Sequence, residues 1–252
     1  MQITIDQDTC CGCGKCADIC RPRLFQESSG KMQLKQNTSA CMKCGQCFSI
    51  CPTGAISMFG LSSSDPSLVS SSQIQSLIMN RHSIRRFKQV PLSHAVLSDL
   101  INWTRFCPSA CNSRPLLFSV VNLLQKPELE KMLQQKHQEL FGKPFESPSN
   151  EQVLRTAPHA IIVKANTQCK CIYDPQEDAC IALSTIELKA VEQGLGTYWC
   201  GLLQIAMKDQ EVKKMCGVAD GEKVLGVLCV GEPDVKFERP AAREEVKITW
   251  VE

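Results

Sequence analysis

The chain has 252 residues, 43% of them hydrophobic and 21% charged, with a formal net charge of +2. That length allows one large domain or a small one beside a medium one, and a weak, mixed charge gives no reason to expect a nucleic-acid partner. No apolar run reaches membrane-spanning length and Met1–Asp6 lacks the basic and apolar regions of a signal peptide, so no membrane association and a cytoplasmic location are expected.

The N-terminal part is an internal repeat. Cys10-Cys11-Gly12-Cys13-Gly14-Lys15-Cys16 continues to Cys20, and Cys41-Met42-Lys43-Cys44-Gly45-Gln46-Cys47 continues to Cys51-Pro52. Both follow C-x2-C-x2-C-x3-C, the bacterial spacing for a [4Fe–4S] cluster, in which the fourth cysteine ligates the other cluster. The crossed pattern assigns Cys10, Cys13, Cys16 and Cys51 to one cluster, and Cys20, Cys41, Cys44 and Cys47 to a second. Each half reads as a short strand, a ligand loop and a turn of helix carrying the fourth cysteine. Glycines at 12, 14, 45 and 54 stand where backbone wraps closely round a cluster. Zinc prefers four ligands from two separated pairs, which fits this duplicated spacing poorly. Cys11 has no counterpart in the second motif and reads as a bystander. Of the 17 cysteines, those outside the motifs read as buried or surface thiols, Cys169-x-Cys171 included. Such thiol use beside metal motifs implies a reducing compartment and suggests an anaerobe.

Three regions follow: 1–60 as the cluster domain, 61–72 as a serine-rich linker, and 73–252 as a larger domain. Ile74, Leu77 and Ile78 form an apolar helical stripe, and a second helix opens after Ser93 with Val96, Leu97, Leu100 and Ile101 in rhythm. Cys107–Pro115 is a loop. Leu116–Leu123 reads as a buried strand, Pro127 opens a helix that turns Leu129, Met132 and Leu133 inward, and His159–Ala165 is a second strand. A strong helix over Ala179–Gln193 ends at Gly194. Val224–Val230 and Val246–Val251 complete the strands. The fold class is α+β, with a small ferredoxin-like domain preceding a domain whose central mixed or antiparallel sheet is flanked by helices.

Arg81-His82-Ser83-x-Arg85-x-Phe87, followed by Pro108-Ser109-x-x-Asn112-Ser113-x-Pro115, resembles the FMN-dependent nitroreductase family. Gly194-Leu195-Gly196-Thr197-Tyr198-Trp199-Cys200-Gly201, and Gly226 through Gly231-Glu232-Pro233 followed by Arg239 and Arg243, agree with it. The resemblance covers about residues 74–252, and the N-terminal part resembles bacterial two-cluster ferredoxins.

Guanidinium groups suit the doubly charged FMN phosphate through charge-assisted, often bidentate hydrogen bonds. Arg81 and Arg85, four apart, can share a helical face or flank a turn. The resemblance implies that Arg81, His82, Ser83, Arg85 and Arg243 bind FMN, with Arg239 a weaker candidate. It also implies that Pro108, Ser109 and Asn112 border the isoalloxazine ring from the second subunit of a homodimer. Gly201 and Leu202 then approach the flavin through their backbone, and Asn150 aligns with a further contact. Arg114 stands where the family usually has glutamine, and Leu116 where an aromatic is common. Cys111 falls in the same loop.

The expected function is an iron–sulfur flavoprotein oxidoreductase. Two [4Fe–4S] clusters exchange electrons with FMN, whose N5 passes a hydride to a small acceptor such as a nitroaromatic, quinone or enone. No side chain is expected to act as a catalytic nucleophile or base. Free ferredoxin or NAD(P)H is the expected donor. The alternative is an electron-carrier or redox-sensing module without turnover.

Overall fold

The computed structural model describes residues 3–64, 72–109, 112–146, 152–166 and 174–251. Most of the serine-rich stretch, Asn150, Cys111, Cys169 and Cys171 lie outside them. The chain divides into two compact units, Met1–Asn80 together with Lys236–Glu252, and Arg81–Val235. The sequence boundary assigns everything after residue 72 to the larger domain; the structure instead gathers residues 73–80 and the C-terminal tail with the cysteine repeat.

In the first unit, β1 (Ile3–Ile5) pairs antiparallel with β4 (Ile56–Met58), Ile3 opposite Met58, so the two ends of the repeat are tied together. The strands β2 (Phe25–Ser28) and β3 (Lys31–Leu34) form a hairpin. Its turn residues Ser29 and Gly30 both have positive φ, 53° and 74°, as a tight two-residue hairpin turn requires. Short helices α1 (Lys15–Ile19) and α2 (Gln46–Ile50) follow the ligand loops. Each carries the third cysteine of its motif and ends at the fourth, because Cys20 and Cys51 are extended C-caps. The core joins Leu24, Phe25, Met32, Phe48, Ile56 and Met58 to cysteines of the motifs. So small a core needs a further source of stability, and bound clusters suit that need. Helix α3 (Gln73–Asn80) buries no residue: Ile74 and Ile78 of its expected stripe are exposed.

In the second unit one four-stranded antiparallel sheet runs in the order β5 (Leu116–Asn122), β6 (His159–Asn166), β8 (Glu222–Gly231), β7 (Gly196–Trp199). Strand β6 is buried along almost its whole length, which accounts for its continuous apolar run where alternation would mark a half-exposed strand. Ile161, Val163 and Ala165 pack with Leu97 and Leu100 of α4 (His94–Asn102) and with Leu183 and Ile186 of α6 (Gln176–Glu192). Ser93 caps α4 by accepting the Val96 N–H, as Ser does at an N-cap. Helix α5 (Pro127–Phe141) buries Leu129 and Leu133. Two short helices, α7 (Gly201–Ala206) and α8 (Gln210–Met215), complete the unit.

The strand expected over Val246–Val251 is absent. Residues 246–251 form neither helix nor strand, and Val246, Ile248, Trp250 and Val251 are exposed. Alternating apolar residues make a strand only where an edge accepts them, and no strand pairs with this segment among the described residues.

Candidate functional site

The two cysteine loops repeat at the level of backbone dihedrals. Gly12 and Lys43, Gly14 and Gly45, and Arg23 and Gly54 are equivalent positions, and all six have positive φ. A non-glycine residue seldom adopts this region unless its surroundings hold it there. Lys43 and Arg23 therefore show that the loop geometry, not the residue type, sets the turn.

The thiols converge in the crossed arrangement. Burial pushes the Cys16 thiol up to about 12, and the neighbouring Cys13 and Cys51 add to the rise. Burial likewise pushes Cys47 up to about 12, reinforced by Cys44, Cys20 and then Cys16. Cys20 is raised by burial and by Cys44 and Cys41. Cys51 thus lies near Cys13 and Cys16, and Cys20 near Cys41 and Cys44. Among the described residues, no three His, Cys, Asp or Glu side chains close on a single metal ion, whereas the far larger Fe–S cube holds its thiolates further apart. Iron takes these groups as thiolates and so displaces their protons on binding. The Leu24 N–H donates to Cys20 Sγ at 3.4 Å, and Thr53 Oγ1 lies 3.7 Å from the sulfur of Cys51. Hydrogen bonds to ligand sulfur are among the factors that set cluster potentials. Cys11 is exposed and lies close enough to Cys13 to raise that thiol, although burial contributes more.

The segment 81–87 forms a second constellation. Helix α3 stops at Asn80, so Arg81 and Arg85 do not share a helical face. The chain is instead extended alongside β7: Ser83 bridges Thr197 in parallel, and the Ile84 N–H donates to the Thr197 carbonyl at 2.8 Å. Alternation then puts Arg81, Ser83 and Arg85 on the partly accessible side, with His82 and Ile84 buried. Close approach to β7 requires Gly196, since a Cβ there would stand 2.6 Å from Ile84 Cγ1. Arg81 Nη1 lies 3.4 Å from Glu187 Oε1. The buried Glu187 carboxylate also accepts from Thr197 Oγ1 at 3.3 Å and Trp199 Nε1 at 3.1 Å. Glu187 was not legible in the sequence, since it sits among ordinary helix residues. Its one signal is a charge on the otherwise apolar face that includes Ile186 and Ala190.

The Pro108 loop is bonded within itself. The Arg114 N–H donates to Ser109 Oγ at 3.1 Å, and Arg114 Nε donates to Asn112 Oδ1 at 3.2 Å. Arg114, which stands in the place of a usual glutamine, thus ties Ser109 to Asn112. Cys107, Pro108, Ser109 and Arg114 line a cavity of about 260 Å³ with Phe118 and Asp178. Asp178 and Glu187 both belong to α6, nine residues or ~14 Å of helix rise apart. Cys107 Sγ lies 3.1 Å from Thr185 Oγ1, so this loop runs along α6 from the level of Asp178 to within two residues of Glu187. Gly201 is exposed and Leu202 half-buried at the start of α7. Arg243 is in the first unit, where its Nη1 donates to the Cys44 carbonyl. Arg239 donates from Nη1 to the carbonyls of Phe48 at 3.1 Å and Cys51 at 2.6 Å. Both guanidinium groups, which the resemblance gives to the FMN phosphate, are here engaged by the cysteine loops.

The nitroreductase family profile matches residues 78–232, and a 4Fe-4S binding domain profile matches residues 34–57, the second cysteine loop. A Bacillus subtilis protein provisionally named NAD(P)H nitroreductase YfhC is 25% identical over 70% of this chain and 91% of its own. One from Archaeoglobus fulgidus, provisionally named NADH dehydrogenase/NAD(P)H nitroreductase, is 26% identical over 62% of this chain and 83% of its own. An FMN-bound nitroreductase structure from Desulfitobacterium hafniense superposes with a TM-score of 0.59 at 22% identity, over 73% of this chain and all of that one. No helix among the described residues is long and apolar enough to cross a membrane. With the sheet order, the Arg81 segment beside β7 and the profile match in agreement, the chain belongs to the nitroreductase family and carries a 4Fe-4S ferredoxin-type segment ahead of it.

Proposed function

We propose that this protein is an FMN-dependent oxidoreductase that draws electrons through two [4Fe–4S] clusters and reduces a small organic acceptor. The observation that carries the reading is the union, in one chain, of a crossed pair of cysteine loops and a nitroreductase-family domain. The clusters, when bound, supply single electrons, and FMN supplies hydride transfer from N5. Cys10, Cys16, Cys47 and Cys51 are buried, whereas Cys13 and Cys44 are exposed, so the proposed ligand sets are shielded from water on one side only. The packing of Cys16 and Cys47 in one buried core supports two clusters close enough to exchange electrons.

Arg81, Ser83 and Arg85 are proposed to hold the FMN phosphate, with Glu187 orienting Arg81. His82, which the resemblance also gives to FMN, is buried on the opposite side of the segment. The backbone of Gly201 and Leu202 is proposed to face the flavin. Pro108, Ser109 and Asn112 are proposed to complete the site from the partner subunit of a homodimer. The exposed apolar side chains of Trp103, Phe106 and Ile181 support this, a patch of the kind that marks association surfaces. Nitroaromatics, quinones and activated enones are the proposed acceptors. Reduced ferredoxin is the proposed donor, with NAD(P)H as the other source. The location is proposed to be cytoplasmic.

The test is anaerobic reduction by dithionite followed by addition of a nitroaromatic or an enone, with flavin absorbance as the readout. Reoxidation over many turnovers is expected. A flavin that reoxidises once, in stoichiometric amount, would reject the enzyme in favour of an electron carrier, and a protein that takes up no flavin on reconstitution would reject both.

A further inference from the structure

The C-terminal tail reaches the cysteine loops at their ligands. The Glu238 N–H donates to the Ser49 carbonyl at 3.0 Å, and Ser49 Oγ donates to the Arg239 carbonyl. Arg239 lies over the Phe48 ring, 5.9 Å from its centroid, and its Nη1 donates to the carbonyl of Cys51, a ligand of the first cluster. Four residues on, Arg243 donates to the carbonyl of Cys44, a ligand of the second. Between them Ala242 is wholly buried in the core of the cysteine unit. It seats against Gly45, where a Cβ would stand 2.6 Å from the Ala242 carbonyl oxygen. Lys43 and Glu244 add an ion pair at 3.2 Å. The tail is therefore fitted, residue by residue, to the second loop and its helix.

We propose that this tail is a charged clamp that tunes the two clusters, Arg239 acting on the cluster of Cys10, Cys13, Cys16 and Cys51, and Arg243 on that of Cys20, Cys41, Cys44 and Cys47. The proposal rests on the cluster reading above. Reduction adds one negative charge to a cluster, and a fixed cation bonded to the carbonyl of a ligand cysteine favours the reduced state. Net charge and hydrogen bonding around the cluster are the protein's means of setting its potential. Arginine stays protonated at every relevant pH, so its charge is permanent. Arg239 is half-buried and Arg243 exposed, so Arg239 is screened less and acts more strongly. Each guanidinium therefore makes its own cluster a better electron acceptor from an external donor.

The experiment is a redox titration of the intact, anaerobically purified protein, followed by electron paramagnetic resonance, alongside iron and acid-labile sulfide counts. R239Q and R243Q are expected to keep iron and sulfide at the wild-type ratio while each lowers one of the two midpoints. For R239Q the reduced-to-oxidised ratio at fixed potential should fall about tenfold, or ~59 mV for a one-electron couple. R239K and R243K keep the charge and are expected to restore the midpoint, which a purely structural strap would not do. Raised salt should narrow the gap between R243Q and wild type more than that between R239Q and wild type. Unchanged midpoints in both glutamine variants would overturn the proposal. So would iron loss in R239Q and R239K alike with the remaining clusters titrating as wild type. Absence of iron and sulfide from the wild-type protein would overturn the cluster reading itself, and the clamp with it.

Discussion

Glu187 on α6 holds Arg81 through its Oε1 at 3.4 Å while its Oε2 accepts from Trp199 Nε1 at 3.1 Å. One buried carboxylate thus joins the segment after α3, the helix α6 and the strand β7. Removing it leaves the buried Thr197 hydroxyl and the Trp199 indole N–H without their acceptor. Loss of partners of this kind costs about 1–3 kcal/mol. E187A should lower the unfolding midpoint of the Arg81–Val235 unit by several degrees, at about 2–4 °C per kcal/mol for a domain of this size. E187Q keeps an acceptor in place and should cost less. Thermal unfolding followed by tryptophan fluorescence reads both, and equal losses in the two variants would show that charge, not hydrogen bonding, is what Glu187 supplies.

Arg81 and Arg85 lie on the same side of an extended segment, with the Ser83 hydroxyl between them. If that row holds the FMN phosphate, R81A should weaken flavin binding by about 10- to 100-fold, the value of one charge-assisted hydrogen bond of roughly 1.5–3 kcal/mol. Iron and sulfide should stay at wild-type levels, because Arg81 lies outside the cysteine unit. Flavin fluorescence during dialysis measures the loss. Full flavin occupancy in R81A would remove Arg81 from the phosphate site.

Cys47 and Cys11 separate ligand from bystander. C47S removes a buried thiol of the proposed second cluster, and iron content should fall to about half, since the proposed first cluster keeps its four cysteines. C11S removes an exposed thiol and should leave iron content unchanged. Flavin uptake should survive in both. Iron loss in C11S as large as in C47S would make Cys11 a ligand and break the assignment of the first loop.

His159 supplies a pH dependence. It begins β6, is 4% exposed, and its Nε2 accepts the Leu92 N–H at 3.0 Å. Burial holds its imidazole below the ordinary value, with His94 adding to the depression against the opposing pull of the Val121 carbonyl. The unfolded chain therefore takes up a proton near pH 6.5 that the folded chain still refuses. The stability from His159 is complete above that pH and is lost as the pH falls through it. Denaturant midpoints should drop between about pH 7.5 and about pH 6, and H159Q, which retains an acceptor for Leu92, should flatten that drop. An equal slope in the variant would assign the effect to other groups.

What could be read from the sequence divides along physical lines. The cysteine loops were legible because cluster chemistry fixes spacing independently of the rest of the fold. Strand β6 and helix α6 were legible because burial leaves long apolar patterns. The hairpin of β2 and β3 was not, since Ser29-Gly30 is a weak turn signal beside a polar strand. The arginines were legible as cations but not by address. Arg239 and Arg243 follow the last strand of the sheet in sequence, yet the buried Ala242 and the cradle at Gly45 direct them to the cysteine unit. Arg81 and Arg85 suggested a shared helical face or the two sides of a turn, and only pairing with Thr197 shows the chain to be extended there. Glu187 illustrates the general limit: a side chain whose role is defined by three partners distant in sequence has no local signature.

Gly12 and Lys43 occupy the same place in the two halves of the repeat, at φ of 68° and 52°, yet they should not be interchangeable. A side chain at positive φ costs about 1–2 kcal/mol, which the second loop bears at Lys43. At Gly12 there is a further obstacle, for a Cβ there would collide with the carbonyl oxygen of Gly30, the second turn residue of the β2–β3 hairpin. That atom is backbone and cannot swing aside as a side-chain tip would. G12A should therefore push the hairpin away from the first loop and displace Cys10 and Cys13 from their cluster. Iron content should fall by about half, while the second cluster keeps its signal. K43G relieves strain in the folded loop but loosens the unfolded chain, and should leave iron content at wild-type level. Paired iron analyses of G12A and K43G decide the matter. A G12A protein with full iron would show that the hairpin yields to the loop, and that the asymmetry between the two halves has no consequence for cluster binding.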